Sequence, residues 1–285
     1  MHIPAPQPKF IEDYTRHAYA LDVSGFTRIP SQIGPKELEE LRAGSERALI
    51  AAQVKLNAGE KLKYTGGSEY YHASRCMYCW GDSLVRLLDL EAIHAIASKL
   101  MRRYLLWDFS VLSALPTPET VKAATTSWHR DYAGMFIGTE EPAYLWFFIC
   151  LDDATPENGA TWAVPGSHRI TSKYEPETKD TWINDDLEMF TSRIQLCAKA
   201  GDLLILNPSM LHSSGRNTTH NPRRLLNLGI CQAGLHPLLN HWSIAGPKLQ
   251  SKVSPRVRTM LGAERGSLDT TWTVLPDGWQ TAAKA

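Results

Sequence analysis

Ser127-Trp128-His129-Arg130-Asp131-Tyr132 sets an imidazole and a carboxylate two residues apart. On extended backbone, residues i and i+2 leave the same face, so His129 and Asp131 can grip one ion together. Two imidazoles and one carboxylate leave three adjacent octahedral positions open on Fe(II), enough for an oxidant and a co-substrate side by side. Alone, H-x-D is common and reads as a surface pair. It gains meaning 81 residues further on, where a Gly-Asp turn, the apolar run Leu203 to Leu206 and then His212 come one after another. After the turn-rich stretch Ser213 to Pro222 comes Arg223, eleven residues past His212. A hairpin would bring that guanidinium back beside the histidine, where it could hold one end of a dicarboxylic acid by a two-pronged pair. The other conspicuous pair, Cys76-Met-Tyr-Cys79, is a lone CxxC. It lacks both the second pair of a zinc site and the βαβ setting of a thioredoxin-like site, and it reads as structural.

The elements that would carry these residues change character along the chain. Met1 to about Tyr14 reads as an extended arm and Val23–Pro30 as a short strand. A helix comes next, with Ser31 or Gly34 near its cap, Pro35 in its first turn, and Leu38, Leu41, Ala48, Leu49 and Ala52 on its apolar stripe. A second helix is expected across Ser83–Leu105, with a break near Asp89. From about Trp107 the pattern is short β-type runs between Gly, Pro and Asn turns: Asp108–Leu115, Tyr144–Leu151, Ala160–Pro165, Ser192–Ala200, Asp202–Asn207 and Arg223–Gln232. Helices first and strands after predict an α+β, mainly β fold, an antiparallel sandwich or barrel with helices on its outside. The chain is read as one domain: a helical part over about 1–106, a β core over about 107–235 and an extension over about 236–285. The tail after Gly246 carries no clear pattern.

Composition narrows the function. The 285 residues hold 30 Lys and Arg against 30 Asp and Glu, with no basic stripe, which argues against nucleic acid as a partner. Five scattered cysteines do not make a secreted disulfide framework. The proline-bearing N-terminus is no signal peptide, and the longest apolar run, Ala143 to Leu151, is half a membrane span. The expectation is a cytoplasmic protein that uses neither nucleic acid nor membrane.

The ordered set WHRD (Trp128–Asp131), LDDATPENGATWAVPGSH (Leu151–His168), GDLLILNPSMLHSSGRNT (Gly201–Thr218) and PRRLLNLGI (Pro222–Ile230) resembles the phytanoyl-CoA dioxygenase family of Fe(II)- and 2-oxoglutarate-dependent oxygenases. The opening strand and helix match as well, so the resemblance spans roughly Val23 to Gln232. Within the family the chain is most similar to fungal members that oxidise secondary metabolites. The resemblance implies a double-stranded β-helix (a cupin-like jelly roll) with iron at one mouth and N-terminal helices flanking it. It implies His129, Asp131 and His212 as iron ligands, and Arg223 with Ser214 on the distal carboxylate of 2-oxoglutarate. Arg224 is set aside because the family's arginine is the eleventh residue after the histidine and alternation sends its neighbour to the other face. Thr161 matches a threonine beside the co-substrate in fungal relatives. Thr126 stands where they often carry Gln, and Trp162 where Arg is common.

Membership of that family would make the chain an enzyme using Fe(II), 2-oxoglutarate and dioxygen to oxidise a C–H bond, by hydroxylation or by desaturation, rearrangement or endoperoxide formation. Homodimerisation is a further expectation. Asp131 fills the position that related halogenases leave empty for chloride, so an oxygenase is expected. The aromatic segment Tyr64 to Trp80 reads either as structural packing or as a lid or substrate wall; in the second reading Tyr64, Tyr70, Tyr71 and Trp80 are candidate contacts and the segment suits a small apolar natural product such as a terpenoid or alkaloid intermediate. Rival readings are an acyl-CoA hydroxylase of the same family, a non-catalytic jelly-roll binding protein, and a cupin-like metalloenzyme without 2-oxoglutarate. Arg223 separates the last, which needs no dicarboxylate clamp. His168 reads as a turn-fixing residue, and His220, His236 and His241 as surface or loop residues.

Overall fold

The seven-residue run Tyr144–Cys150, apolar throughout, is buried along its whole length and forms the centre of the main sheet. A computed structural model describes residues 14–60, 71–119, 128–131, 141–170 and 191–265. In chain order the strands are β1 (Phe26–Ile29), β2 (Tyr71–Arg75), β3 (Tyr104–Ala114), β4 (Tyr144–Cys150), β5 (Trp162–Ala163), β6 (Ile194–Gln195), β7 (Leu203–Leu206), β8 (His212–Ser213) and β9 (Arg223–Gln232). The helices are α1 (Thr15–Ser24), α2 (Pro35–Asn57), α3 (Asp82–Leu87), α4 (Glu91–Leu100), α5 (His241–Gln250) and α6 (Pro255–Met260). Six strands make an antiparallel sheet in the order β1-β7-β4-β9-β3-β2, and three make a smaller one, β6-β5-β8. The architecture is the jelly roll expected from the sequence.

Strand alternation divides the main sheet into two faces. Phe109 and Val111 of β3, Leu145, Phe147 and Ile149 of β4, and Leu226, Leu228 and Ile230 of β9 pack with the helices in the larger apolar core. Their neighbours Asp108, Ser110, Leu112, Trp146, Phe148, Arg223, Leu225 and Asn227 line a cavity on the opposite face. One sheet therefore supplies both a hydrophobic floor for the helices and the wall of a site.

The helical expectations hold for α2, which starts at Pro35 after Gly34 and buries Leu38, Leu41, Ala48 and Ala52. The second expected helix is two, α3 and α4, parted at Leu88–Leu90 around Asp89. Helix α1 has no counterpart among the expected elements. Val23 and Ser24, read as strand, close this helix instead, because Gly25 adopts φ +84 and donates its N–H to Leu21 O at 3.0 Å. An added Cβ on Gly25 would lie 2.7 Å from His168 Nδ1, so that approach needs glycine. The tail forms α5 and α6, and Val257, Met260 and Leu261 enter the larger core. The main sheet draws β1 and β2 from before residue 106, and β3 itself begins at Tyr104. No helix among the described residues is long and apolar enough to cross a membrane.

Candidate active site

His129 and His212 are mutual β-bridge partners, His129 N donating to His212 O at 2.9 Å and His212 N to His129 O at 3.0 Å. The same pairing continues into the turn before β8, where Asp131 N donates to Pro208 O at 3.0 Å. Backbone hydrogen bonds thus bring an imidazole from each segment together, with ring centroids 4.3 Å apart. Asp131 Oδ1 lies 3.5 Å from His129 Nε2 and Asp131 Oδ2 lies 3.8 Å from His212 Nε2. One ligand atom from each residue falls within 4.8 Å of the other two. Ligands at about 2.1 Å on adjacent octahedral corners sit about 3 Å apart, so small rotations suffice for the three to share an ion.

The surroundings bias these groups towards forms that could bind a metal. His212 Nδ1 faces Met210 O at 2.8 Å, which favours the N–H at Nδ1 and leaves Nε2 as the lone-pair donor towards Asp131. Burial pushes the His212 pKa down, against the opposing pull of Asp131, and keeps the imidazole in the neutral form that a metal needs. Burial acts the other way on Asp131, but the hydrogen bond from His129 and the influence of the two neighbouring imidazoles outweigh it. With the Trp146 N–H added, the carboxyl lies below its usual range. Trp146 Nε1 donates to Asp131 Oδ2 at 2.6 Å and holds the carboxylate's orientation. The indole fits because Gly229 faces Trp146 across β4 and β9, and a Cβ there would lie 2.0 Å from the ring.

The three residues open on a cavity of about 260 Å³ that also receives Arg223, Ser214 and Thr161. Arg223 is only 6% exposed. Arg224 leaves the other face, where its Nε donates to Asp152 Oδ2 at 2.9 Å and its Nη1 to Glu46 Oε2 at 3.2 Å. Three other polar cavity residues, Arg75, Asp108 and Ser110, lie outside the motifs, and a fourth, Asn227, stands within one without being singled out there. Arg75 ends β2 and ion-pairs with Asp108, which also accepts from Ser110 Oγ at 3.0 Å. Ser110 pairs in register with both Arg75 and Asn227, so these polar groups form one patch on the cavity wall. Asp108 and Asn227 were findable: each is a polar side chain breaking an apolar run, at the strand parity opposite to the core residues. Arg75 carried no such signal, because nothing around it reads as strand.

Other expected residues are placed differently. Tyr64, Tyr70 and Thr126 lie outside the described residues, and Tyr71 is the first residue of β2. Trp80 packs against the helical core and is not among the cavity residues, its carbonyl accepting from Arg47 Nη2 at 2.8 Å. His168 fixes its turn, with Nε2 3.0 Å from Asp22 O. His220 and His236 are exposed, but His241 is not a surface residue: it is buried between Tyr78 OH at 2.9 Å and Trp107 O at 3.1 Å. The cysteines form no disulfide. Burial raises the thiols of Cys76 and Cys79, opposite to the shift of a reactive CxxC pair, and takes Cys150 up to about 12.

A jelly roll with two histidines and a carboxylate at a cavity mouth, and an arginine within, defines the class of Fe(II)- and 2-oxoglutarate-dependent dioxygenases. Comparison with known proteins names the family. The chain belongs to the phytanoyl-CoA dioxygenase (PhyH) family, whose profile matches residues 21–225. It is 31% identical to dioxygenase af480 of Aspergillus fumigatus over 267 residues, covering 88% of this chain and 76% of that one. Over 136 residues it is 29% identical to phytanoyl-CoA dioxygenase 1 of Oryza sativa subsp. japonica, covering 45% of this chain and 44% of the rice protein. Fungal dioxygenases are thus among its relatives, as the sequence motifs indicated. Solved structures share the fold: HygX from Streptomyces hygroscopicus, with nickel and 2-oxoglutarate bound, has a TM-score of 0.59 at 19% identity, over 77% of this chain and 87% of that one. AviO1 from Streptomyces viridochromogenes Tue57 has 0.58 at 22%, over 79% and 97%. Fe(II), 2-oxoglutarate and dioxygen are the cofactor and co-substrates of the family.

Proposed function

We propose that His129, Asp131 and His212 hold Fe(II), that Arg223 with Ser214 and Thr161 takes the distal carboxylate of 2-oxoglutarate, and that the substrate is a small, largely apolar natural product bearing hydroxyl or amine groups. The observation that carries this reading is one cavity shared by the three ligand residues and the buried Arg223. Bound there, the metal with 2-oxoglutarate and dioxygen supplies the oxidising power: one oxygen atom enters succinate as carbon dioxide leaves, and the other enters the product of a hydroxylation. The chain's own residues orient. Arg223 fixes the acid end of the co-substrate, Trp146 fixes Asp131, and Leu112, Phe148 and Leu225 give the cavity apolar walls. Arg75, Asp108, Ser110 and Asn227 make one stretch of the wall polar, which favours a molecule carrying some polar groups over a bare hydrocarbon. Membership of secondary metabolism is supported by SnoN and SnoK, structural neighbours from nogalamycin biosynthesis, and by HygX, solved with hygromycin B bound.

The test is an anaerobic titration with Fe(II) and 2-oxoglutarate, then oxygen-dependent succinate release against a panel of natural products and acyl-CoA thioesters. Stimulation by hydroxylated or aminated polycycles is expected. Turnover confined to the thioesters would move the protein to acyl-CoA hydroxylation. Replacing His129, Asp131 or His212 by Ala should abolish turnover and greatly weaken Fe(II) binding with the fold intact. Full activity in His212→Ala would refute the ligand assignment.

A further inference from the structure

Arg130, the middle residue of the H-x-D run, is buried at 7% exposure although it carries a permanent charge. Its guanidinium is absent from the cavity wall. Nη1 donates instead to Ser167 O at 2.7 Å and to Ser209 O. Ser167 is itself bound into the segment before the third ligand: its Oγ accepts from Leu211 N at 2.8 Å and donates to Val164 O at 2.6 Å. Three consecutive residues therefore grip the stretch Pro208–His212, His129 through its bridge to His212, Arg130 through Ser209 O, and Asp131 through Pro208 O. Of the three attachments only that of Arg130 is made by a side chain.

Resting on the ligand assignment above, we propose that Arg130 is a positioning residue for the metal set: from behind the site, and without touching the ion, it fixes the spacing between the His129–Asp131 pair and His212. A buried guanidinium must have its N–H groups satisfied, so it settles only where the carbonyls of Ser167 and Ser209 stand correctly, and it holds both segments there. Groups that orient metal ligands from outside the coordination sphere typically contribute a factor of about 10–100 in affinity. A lysine ammonium keeps the charge and the donors but ends one bond short of Nη1, so it restores these contacts only in part, whereas an uncharged side chain of similar length restores none.

The experiment is anaerobic calorimetric titration of the metal-free protein with Fe(II) alone, with the melting temperature of each metal-free variant measured beside it. Arg130→Met should weaken Fe(II) binding by about 10–100-fold, and Arg130→Lys and Ser167→Ala should each fall between Met and wild type. Should Arg130→Met fail to fold, Lys and Ser167→Ala carry the comparison. A folded Arg130→Met with wild-type affinity overturns the role, and so do folded Lys and Ser167→Ala variants that both bind Fe(II) as wild type does. A wild-type protein that binds no Fe(II) would instead overturn the ligand assignment on which the role rests.

Discussion

Arg223 and Arg224 are adjacent and chemically identical, yet strand alternation gives them separate work. Arg223→Leu should raise the Michaelis constant for 2-oxoglutarate steeply, since losing the charged partner of a buried carboxylate costs on the order of 2–5 kcal/mol. Arg224→Leu should leave that constant nearly unchanged and lower the melting temperature through loss of the Asp152 and Glu46 pairs. The reverse ranking in steady-state kinetics would mean that the co-substrate lies elsewhere. Gly229→Ala tests the Trp146 seat. A methyl group 2.0 Å from the indole must displace it, costing about 1–3 kcal/mol and releasing Asp131, so the variant should lose both thermal stability and Fe(II) affinity. At this scale the sequence was most informative where chemistry demands a pattern. His129, Asp131, His212 and Arg223 stand in spacings that residue types alone make conspicuous. Trp146 and Arg130 did not, because an apolar-looking strand residue and the middle letter of H-x-D acquire meaning only from the groups they meet in space.

At the scale of elements, buried histidines tie helices to the sheet. His241 at the start of α5 bridges Tyr78 and the β3 carbonyl of Trp107, and His94 of α4 bridges Tyr104 and Leu88. Burial lowers the pKa of His94, His168 and His241 below their ordinary 6.5, each against a hydrogen bond to a backbone carbonyl. The unfolded chain takes up more protons below about pH 6.5, so the stability these groups contribute is present above that value. It is lost as pH falls towards the folded pKa values, at up to about 1.4 kcal/mol per pH unit for each histidine. Thermal melts of the metal-free protein should fall from pH 7.5 to 5.5, and His241→Gln should flatten that dependence. An unchanged slope would show that His241 is not among the groups responsible. Long periodic elements such as α2 and β9 were legible from sequence to within a few residues. Helix α1 was not, because its apolar pattern is weak and its end is fixed by Gly25, a residue that the surrounding β-type letters had drawn into a strand.

Across the whole molecule, the C-terminal helices belong to the same core as the sheet. Val257, Met260 and Leu261 are each under 5% exposed within the larger core. At about 1.5–3 kcal/mol for each side chain withdrawn from water, their loss removes much of the 5–15 kcal/mol that typically separates folded from unfolded states. A chain ended after Gln232 keeps every main-sheet strand and every proposed ligand, yet it should show no cooperative melt by circular dichroism. Retention of a sharp transition would mean that the sheet and N-terminal helices suffice. The unpatterned tail gave no warning of this, because short helices docked by two or three side chains leave little periodicity to read.

The pairing of β1 with β7 sets a timetable for synthesis. Phe26 lies opposite Leu206, 180 residues later in the chain. At about 5–20 residues per second a ribosome needs roughly 10 to 40 s to travel from one to the other. Throughout that interval β1 has its helix for company, through the 2.8 Å bond from His17 to Thr27, but no strand to pair with. A strand made early and paired late offers an open edge to other nascent chains. Soluble yield should therefore rise when a holding chaperone is coexpressed. It should fall when rare codons are placed between β4 and β7, whereas the same codons placed after residue 206 should leave it unchanged.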